Sequence, residues 1–458
     1  MKPRPLASVA RAVGGELVGD GDVPIRSVET DSRLVGDGAL FVALAGEHQD
    51  GHAFVADAFA RGATGVLVRT GAVVDGPAVR VGDTGQALLD LAANERLGFD
   101  GTVVAITGAN GKTSTKDMAA AVCAERLRTY ASPSSFNNEV GLPMTLLGAP
   151  PDTEILIAEL GARHVGDVAR LMSIAAPTMV VVTNVGVAHM EVFGSWSAIV
   201  EASAEPIDAL APDDLAILNV DDAVVAGFAS RTSARVRSFG RGGDADVRAD
   251  DVRLARDGCA SFELVADGDR ARVSLSVPGE HMVHNALAAA TVGFALQVPL
   301  AACASALSGA HITHWRMETT STPSGIRVLN DAYNANPESV AAALKTARWM
   351  AADGRLIAVL GQMAELGAIA DDEHERIGEL AARLRVDRLI AIGAEAKAIA
   401  VAGVREGVEP ENVADYDDVD AALADVLAVA RDGDVVLIKG SRVAGLERLA
   451  ARLVEALS

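Results

Sequence analysis

Aromatic residues, cysteines and basic charge are all in short supply in this chain, and each shortage narrows what it can be. Phe, Trp and Tyr make up 3% of 458 residues, while half of all residues are apolar. The cores must therefore be built from Ala, Val, Leu and Ile, which suits alanine-rich helices packed on Val/Ile strands. The cysteines are Cys123, Cys259 and Cys303, odd in number and far apart. That excludes a disulfide framework and a thiolate metal cluster, and it fits a reducing, cytoplasmic location. No run of about 18 apolar residues occurs, so no transmembrane helix and no membrane insertion are expected. The opening Met1-Lys2-Pro3-Arg4-Pro5 leads into a mixed segment without the apolar core of a signal peptide. Basic residues number 40 against 62 acidic, for a net charge of -22. With no Lys/Arg block, nucleic acid is not an expected partner. An anionic substrate must be gripped by local donors against an unfavourable global field.

What is present is a β/α alternation too long for one core, which points to about three domains. Residues 1–98 hold strand candidates at Ile25–Glu29, Ala39–Leu44 and Gly65–Val68, with helices at Ala53–Arg61 and Thr84–Leu97. Residues 99–312 hold continuous apolar runs at Val103–Ile106, Ile155–Ala158, Met179–Val182 and Ala216–Leu218, as parallel strands buried on both faces require. From about 234 to 278 the pattern alternates instead, and turns at Asp257-Gly258 and Asp267-Gly268 predict a small antiparallel ribbon, followed by a helix over Asn285–Leu296. Residues 313–458 repeat the parallel logic at Arg327–Leu329, Leu356–Leu360, Arg388–Ile392 and Val435–Ile438. The expected fold class is α/β with three domains: a small N-terminal α/β domain, a central P-loop parallel-sheet ATPase domain with an antiparallel ribbon, and a C-terminal Rossmann-like α/β domain.

The strongest motif is Thr107-Gly108-Ala109-Asn110-Gly111-Lys112-Thr113-Ser114, placed between a strand and a helix. Two glycines let the loop curl so that successive N–H groups point at phosphate oxygens, and the helix adds its positive end. Lys112 can reach the outer phosphates and the Thr113 hydroxyl can sit on Mg²⁺. The general pattern asks for glycine where this chain has Ile106, so the loop is a variant form.

Other polar residues fall just after strands, where open parallel sheets bind ligands. Glu159, Asn184 and His189 follow two of the central strands, and Glu159 and His189 could ligate Mg²⁺ or its waters. Asn137 and Asn138 read on spacing alone as a turn. In Asp331-Ala332-Tyr333-Asn334-Ala335-Asn336-Pro337, Pro337 suits the first position of a helix with Asn336 as its N-cap. Asp331, Tyr333 and Asn334 are left over, and polar groups around one flat ring could hold a base and a ribose.

Together these motifs resemble the Mur ligase family of peptidoglycan synthesis, end to end. The family loop has the form T-G-x-x-G-K-T, which accounts for Ile106. Asp31-Ser32-Arg33, Leu40–Leu44 and Asp50-Gly51-His52 resemble its nucleotide-sugar-binding domain. Phe136–Pro143, Glu159–Ala162, His189–Ser195 and His281–Ala289 are similar to central-domain motifs. Asp331–Pro337, Met363–Gly367 and Lys439–Arg442 are similar to the third domain.

The resemblance implies that domain 1–98 binds a UDP-linked muramoyl peptide, 99–312 binds ATP and Mg²⁺, and 313–458 binds an amino acid or dipeptide, with D-Ala-D-Ala as the incoming amine. ATP phosphorylates the peptide carboxylate, and the amine attacks the acyl phosphate to form an amide. Lys112, His189 and Arg316 would be catalytic; Thr113, Glu159 and His189 would hold metal. Thr107 through Ser114, Asn285, Arg316, Asp331, Tyr333, Asn334 and Asn336 would surround ATP. Ser32, Arg33, Asn137, Asn138, Lys439 and Ser441 would meet the other substrates, in a cytoplasmic monomer.

The chain departs from the family pattern at Ser203, where a carbamylated lysine is usual, at Trp315 (usually His) and at Gln362 (usually Asp or Glu). The departures leave open a Mur-type ligase diverted to another carboxylate and amine, and a nucleotide-binding module that no longer ligates.

Overall fold

Each of the large sheets collects its strands from one stretch of sequence. A computed structural model of the chain describes residues 1–46 and 49–458. Among these residues, the first sheet pairs Ser27–Glu29, Ala39–Val42, Ala63–Arg69 and Ala78–Val81 in parallel and adds Glu16–Val18 antiparallel at one edge. The expected strand Ile25–Glu29 is split: Pro24–Ile25 turns aside to pair with Arg4–Pro5. The expected helix Ala53–Arg61 is a 3-10 turn, Gly51–Phe54, followed by α-helix Val55–Ala60. Helix Thr84–Leu97 matches the expectation residue for residue and is capped by Asp83.

The central sheet has nine strands. Thr102–Thr107 lies in its parallel part, between Ile155–Glu159 and Met179–Val182, and Val103–Ile106 are fully buried. Leu215–Asn219 and Arg235–Gly240 continue the sheet in parallel. One expectation needs correction here. The stretch from 234 is not an antiparallel ribbon throughout, because Arg235–Gly240 pairs parallel on both sides. The antiparallel part comprises Val247–Leu254, Cys259–Ala266 and Asp269–Pro278. Arg235–Gly240 sits beside a buried strand but keeps a mixed, half-exposed pattern, which imitates alternation. The following helix runs Met282–Ala295, starting before the expected Asn285, and packs on the loop-bearing helix Lys112–Ala124.

In the C-terminal sheet Val435–Lys439 inserts between Arg327–Asp331 and Leu356–Gly361, which creates a switch in strand order. Ligands of such sheets bind at that point. Arg388–Ile392 and Val413–Tyr416 extend one side, and Glu318–Ser321 pairs antiparallel on the other.

Aliphatic side chains link the three sheets. One apolar cluster joins Leu88 and Leu91 to Leu142 of helix Gly141–Gly148 and Val180 of the central sheet, and another joins Phe262 and Val283 to Leu344 and Met350 beyond it. The connector between the last two sheets is fastened as well: the Thr313 backbone N–H and hydroxyl both donate to the Asp117 carboxylate at 2.8 Å. Among the described residues no helix is long and apolar enough to cross a membrane.

Candidate active site

The loop after Thr102–Thr107 takes its shape from what surrounds it. Gly108 (φ 131°) and Gly111 (φ 80°) both lie in the left-handed region. A Cβ on Gly108 would fall 2.1 Å from Thr183 Oγ1, and one on Gly111 would fall 2.3 Å from Asn285 Oδ1. No side chain fits either place. Asn285, buried on helix Met282–Ala295, therefore forms the floor under Gly111.

Helix Lys112–Ala124 begins with no side-chain cap on its first N–H groups, the arrangement that receives phosphate. The N–H groups of Ala109 and Asn110 are spent differently from the expectation: they donate to Asn184, to its carbonyl at 3.0 Å and its side-chain Oδ1 at 2.8 Å. Asn184 follows the neighbouring strand and locks the loop, so the anion-facing donors are those at the start of the helix. Lys112 Nζ donates to the Gly108 carbonyl at 2.7 Å. Burial lowers the pKa of Lys112, Glu159 opposes that shift, and Arg316 adds to it. An ammonium enclosed beside a guanidinium is best balanced by an anion between them.

Glu159 is the last residue of its strand and is 1% exposed. One carboxylate oxygen accepts from Thr113 Oγ1 at 2.8 Å, and the other accepts from Asn137 Nδ2 at 2.8 Å. Ser135 Oγ lies 3.0 Å from Thr113 Oγ1 and accepts from Arg316 Nη2 at 2.9 Å. Lys116, 2% exposed, holds this segment through the carbonyls of Ser132 and Ser134. Hydroxyl and carboxylate oxygens of this kind suit a hard cation such as Mg²⁺.

Two expected partners are engaged by other protein groups. Asn138 accepts from the Gly141 N–H at 2.9 Å at the head of helix Gly141–Gly148, the turn role its spacing suggested. His189 (φ 58°) pairs through Nδ1 with Glu365 of the C-terminal region, and Glu365 also binds Arg163. Among the described residues no group of three or more His, Cys, Asp or Glu converges.

The C-terminal region supplies the other wall. Asn336 caps helix Pro337–Ala351 in a reciprocal box with Ser339, and its Nδ2 donates to Asn110 Oδ1 of the loop at 2.8 Å. The Val187 N–H donates to Glu338 at 3.3 Å. Arg316 stacks on the Tyr333 ring, 4.1 Å from its centroid, and its Nε is buried without a hydrogen-bond partner.

Lys439 and Ser441 were expected to meet substrate, but both are buried and engaged. Lys439 Nζ binds Asp331 Oδ2 at 2.5 Å and the Asn334 carbonyl at 3.0 Å, while Ser441 Oγ accepts from the Ala364 N–H at 2.9 Å. They brace the loops 331–336 and 362–366. Asp331 also accepts from the Met317 N–H at 3.1 Å. Thr107 and Ser114 are buried at the two ends of the phosphate loop.

Ser32 and Arg33 lie apart, in the first sheet's region. Asp31 caps the turn Ser32–Leu34 and pairs with Arg33 at 2.6 Å, and that pairing brings the Asp31 carboxyl down to about 2. At the points of departure, the Ser203 hydroxyl donates to the Ile199 carbonyl at 2.7 Å, Trp315 (φ 62°) carries Arg442 4.5 Å over its ring, and the Gln362 carbonyl accepts from the Ser441 N–H. Sequence reasoning missed Ser135, Arg163 and Glu365. Ser135 directly precedes the motif Phe136–Pro143 and Glu365 sits inside Met363–Gly367, but only the fold shows what they touch.

Fold and site define a three-domain P-loop enzyme whose nucleotide pocket is walled by the domain that follows it. Three family models match in order: Mur ligase family, catalytic domain, over residues 24–121; Mur ligase middle domain over 106–293; and Mur ligase, glutamate ligase domain, over 315–442. The chain is 40% identical to the UDP-N-acetylmuramoyl-tripeptide--D-alanyl-D-alanine ligase of Mycobacterium tuberculosis, covering 98% of this chain and 97% of that one. It is 33% identical to the Bacillus subtilis enzyme of the same name, covering 99% of both. A crystal structure of MurF from Acinetobacter baumannii superposes with a TM-score of 0.89 at 30% identity over 99% of both chains. MurF ligase from Thermotoga maritima in complex with ADP superposes with 0.81 at 27% identity, over 94% of this chain and 98% of that one. The chain belongs to the Mur ligase family.

Proposed function

We propose that the chain is the ATP-dependent amide ligase that adds D-alanyl-D-alanine to UDP-N-acetylmuramoyl-tripeptide in peptidoglycan synthesis, releasing ADP and phosphate. One observation carries the mechanism: Arg316 from the C-terminal region bonds Ser135 of the Thr113–Ser135–Glu159 cluster, its Nε is buried there without a partner, and the enclosed Lys112 lies near enough to feel the charges of both Arg316 and Glu159. Two cations and an uncapped helix start suit a triphosphate whose outer group is being transferred.

The tripeptide carboxylate oxygen attacks the γ-phosphorus and the bond to the β-phosphate oxygen breaks, giving ADP and an acyl phosphate. The D-Ala-D-Ala amine then attacks the acyl carbon, loses a proton, and phosphate leaves as the amide forms. Lys112 and Arg316 hold the phosphoryl oxygens in line and offset their charge. Asn285 and the loop fix the polyphosphate, and Asp331, Tyr333, Asn334 and Asn336 flank the adenosine. Thr113 and Glu159 would hold Mg²⁺, which screens the phosphate oxygens when bound, and His189 would assist from beyond the neighbouring strand Met179–Val182.

Residues 1–98 take the UDP-sugar peptide through the Ser32-Arg33 turn, 99–312 the nucleotide, and 313–458 the dipeptide. The enzyme works as a cytoplasmic monomer. Purified protein should release phosphate only with ATP, Mg²⁺, UDP-muramoyl tripeptide and D-Ala-D-Ala together. Release with another amine but not this one would refute the assignment.

A further inference from the structure

We propose that Glu365 is a positioning residue for ligation: carried by the C-terminal region, it orients the His189 imidazole of the central region, so that His189 is set only when the two regions meet. This rests on the functional reading above. The loop that carries Glu365 is fixed at several points before the carboxylate is reached. The Met363 N–H donates to Nε2 of the fully buried His374 at 2.9 Å, and the Ala364 N–H donates to Ser441 Oγ at 2.9 Å. Glu365 itself sits at φ 62°. Its carbonyl accepts from the Glu191 N–H at 3.0 Å, and Gly367 (φ 58°) lets the loop press on Glu191, where a Cβ would meet Cα at 3.0 Å. A left-handed residue between such anchors is held in place by its surroundings.

The carboxylate then divides between two groups of the central sheet. One oxygen meets Arg163 and the other meets His189 Nδ1. Arg163 follows strand Ile155–Glu159 and His189 follows strand Met179–Val182, and these two strands flank the strand that bears the phosphate loop. Glu365 therefore straddles the site from the far side. With Nδ1–H given to the carboxylate, His189 keeps Nε2 as its acceptor, and among the described residues Nε2 makes no protein hydrogen bond. A carboxylate behind an imidazole is how proteins fix the tautomer and ring orientation of a histidine that faces a metal or a phosphate. Arg163 balances the carboxylate's second oxygen and so keeps Glu365 ionised and aligned.

Steady-state kinetics at saturating Mg²⁺ test this. Glu365→Ala should lower kcat about 10–100-fold and leave the KM for ATP within about threefold. Glu365→Gln, checked by thermal melting, guards against a folding defect and should lose less. In a His189→Asn background, adding Glu365→Ala should cost nothing further, since the two substitutions remove one interaction. Independent, multiplying losses would overturn the proposal, as would wild-type kcat in Glu365→Ala.

Small-angle scattering with a non-hydrolysable ATP analogue separates positioning from simple latching. Glu365→Ala should reach the wild-type dimensions, because Asn110–Asn336 and Arg316–Ser135 remain, and failure to do so overturns the proposal. Calorimetry gives a readout without turnover: the Mg²⁺-dependent gain in affinity for the analogue should fall about 10-fold in Glu365→Ala, and an unchanged gain counts against the idea. If the wild type ligates nothing with the named pair, the functional reading fails by that result alone, and calorimetry still decides the fate of Glu365.

Discussion

The phosphate loop and the wall that faces it are built in opposite ways. The loop is contiguous: strand, two glycines, Lys112, Thr113 and helix follow one another within residues 102–124. The facing wall gathers Arg316, the pair Tyr333 and Asn336, and Glu365 from three separate turns, and its contacts to the loop side span 181, 226 and 176 residues of sequence. The near half exists as soon as the central sheet folds, whereas the far half exists only while two regions touch. The near half should therefore govern whether nucleotide can be handled at all, and the far half how productively.

Substitutions can break that contrast. Lys112→Ala should cost the most, about 10³-fold in phosphate release, with an unchanged melting temperature because the side chain packs no core. Comparable loss accompanied by a large drop in melting temperature would mean the loop is structural. Arg316→Ala should lower kcat about 10²-fold and leave Tyr333 unstacked. If only the KM for ATP moved, the far wall would be a binding surface and nothing more.

His281 sharpens the comparison through pH. Burial holds its pKa down to about 4, Lys439 and His284 add to the shift, and Asp331 and Glu280 oppose it. Between the ordinary histidine value of about 6.5 and about 4 the unfolded chain carries a proton that the native chain lacks. Stability should therefore fall as pH drops through that window, by on the order of 3 kcal/mol in all. Thermal melts of His281→Asn should show a shallower slope there, and an identical slope would remove His281 from the account. Asn336→Ala should have the smallest effect, about 1 kcal/mol of stability for the lost cap. Asn336→Ser keeps a cap but cannot reach Asn110, so any rise in its KM for ATP measures the contact across the regions.

The same contrast explains what was legible in the sequence. Buried parallel strands announce themselves as apolar runs, so Met179–Val182 and Arg388–Ile392 match the expectation residue for residue. Glu16–Val18 and Val413–Tyr416 were missed because edge strands are short and half-exposed and carry no such run. Within the site, Lys112 and Thr113 were legible because their chemistry is local. Asn137 and Asn138 looked alike, yet one binds Glu159 and the other caps a helix, a distinction made by the strand end beside them. Lys439 had the chemistry of a substrate ligand, but the inserted strand Val435–Lys439 delivers it to Asp331. Glu365 had no readable role because its partners come from another sheet.

The bond from Thr313 to Asp117 has a mechanical consequence. The crank between the last two regions is bolted to the same helix whose first turn presents Lys112 and Thr113. A swing of the final third of the chain must therefore apply torque to the helix that grips the phosphates, so that motion on one side of the cleft is felt as tension on the other.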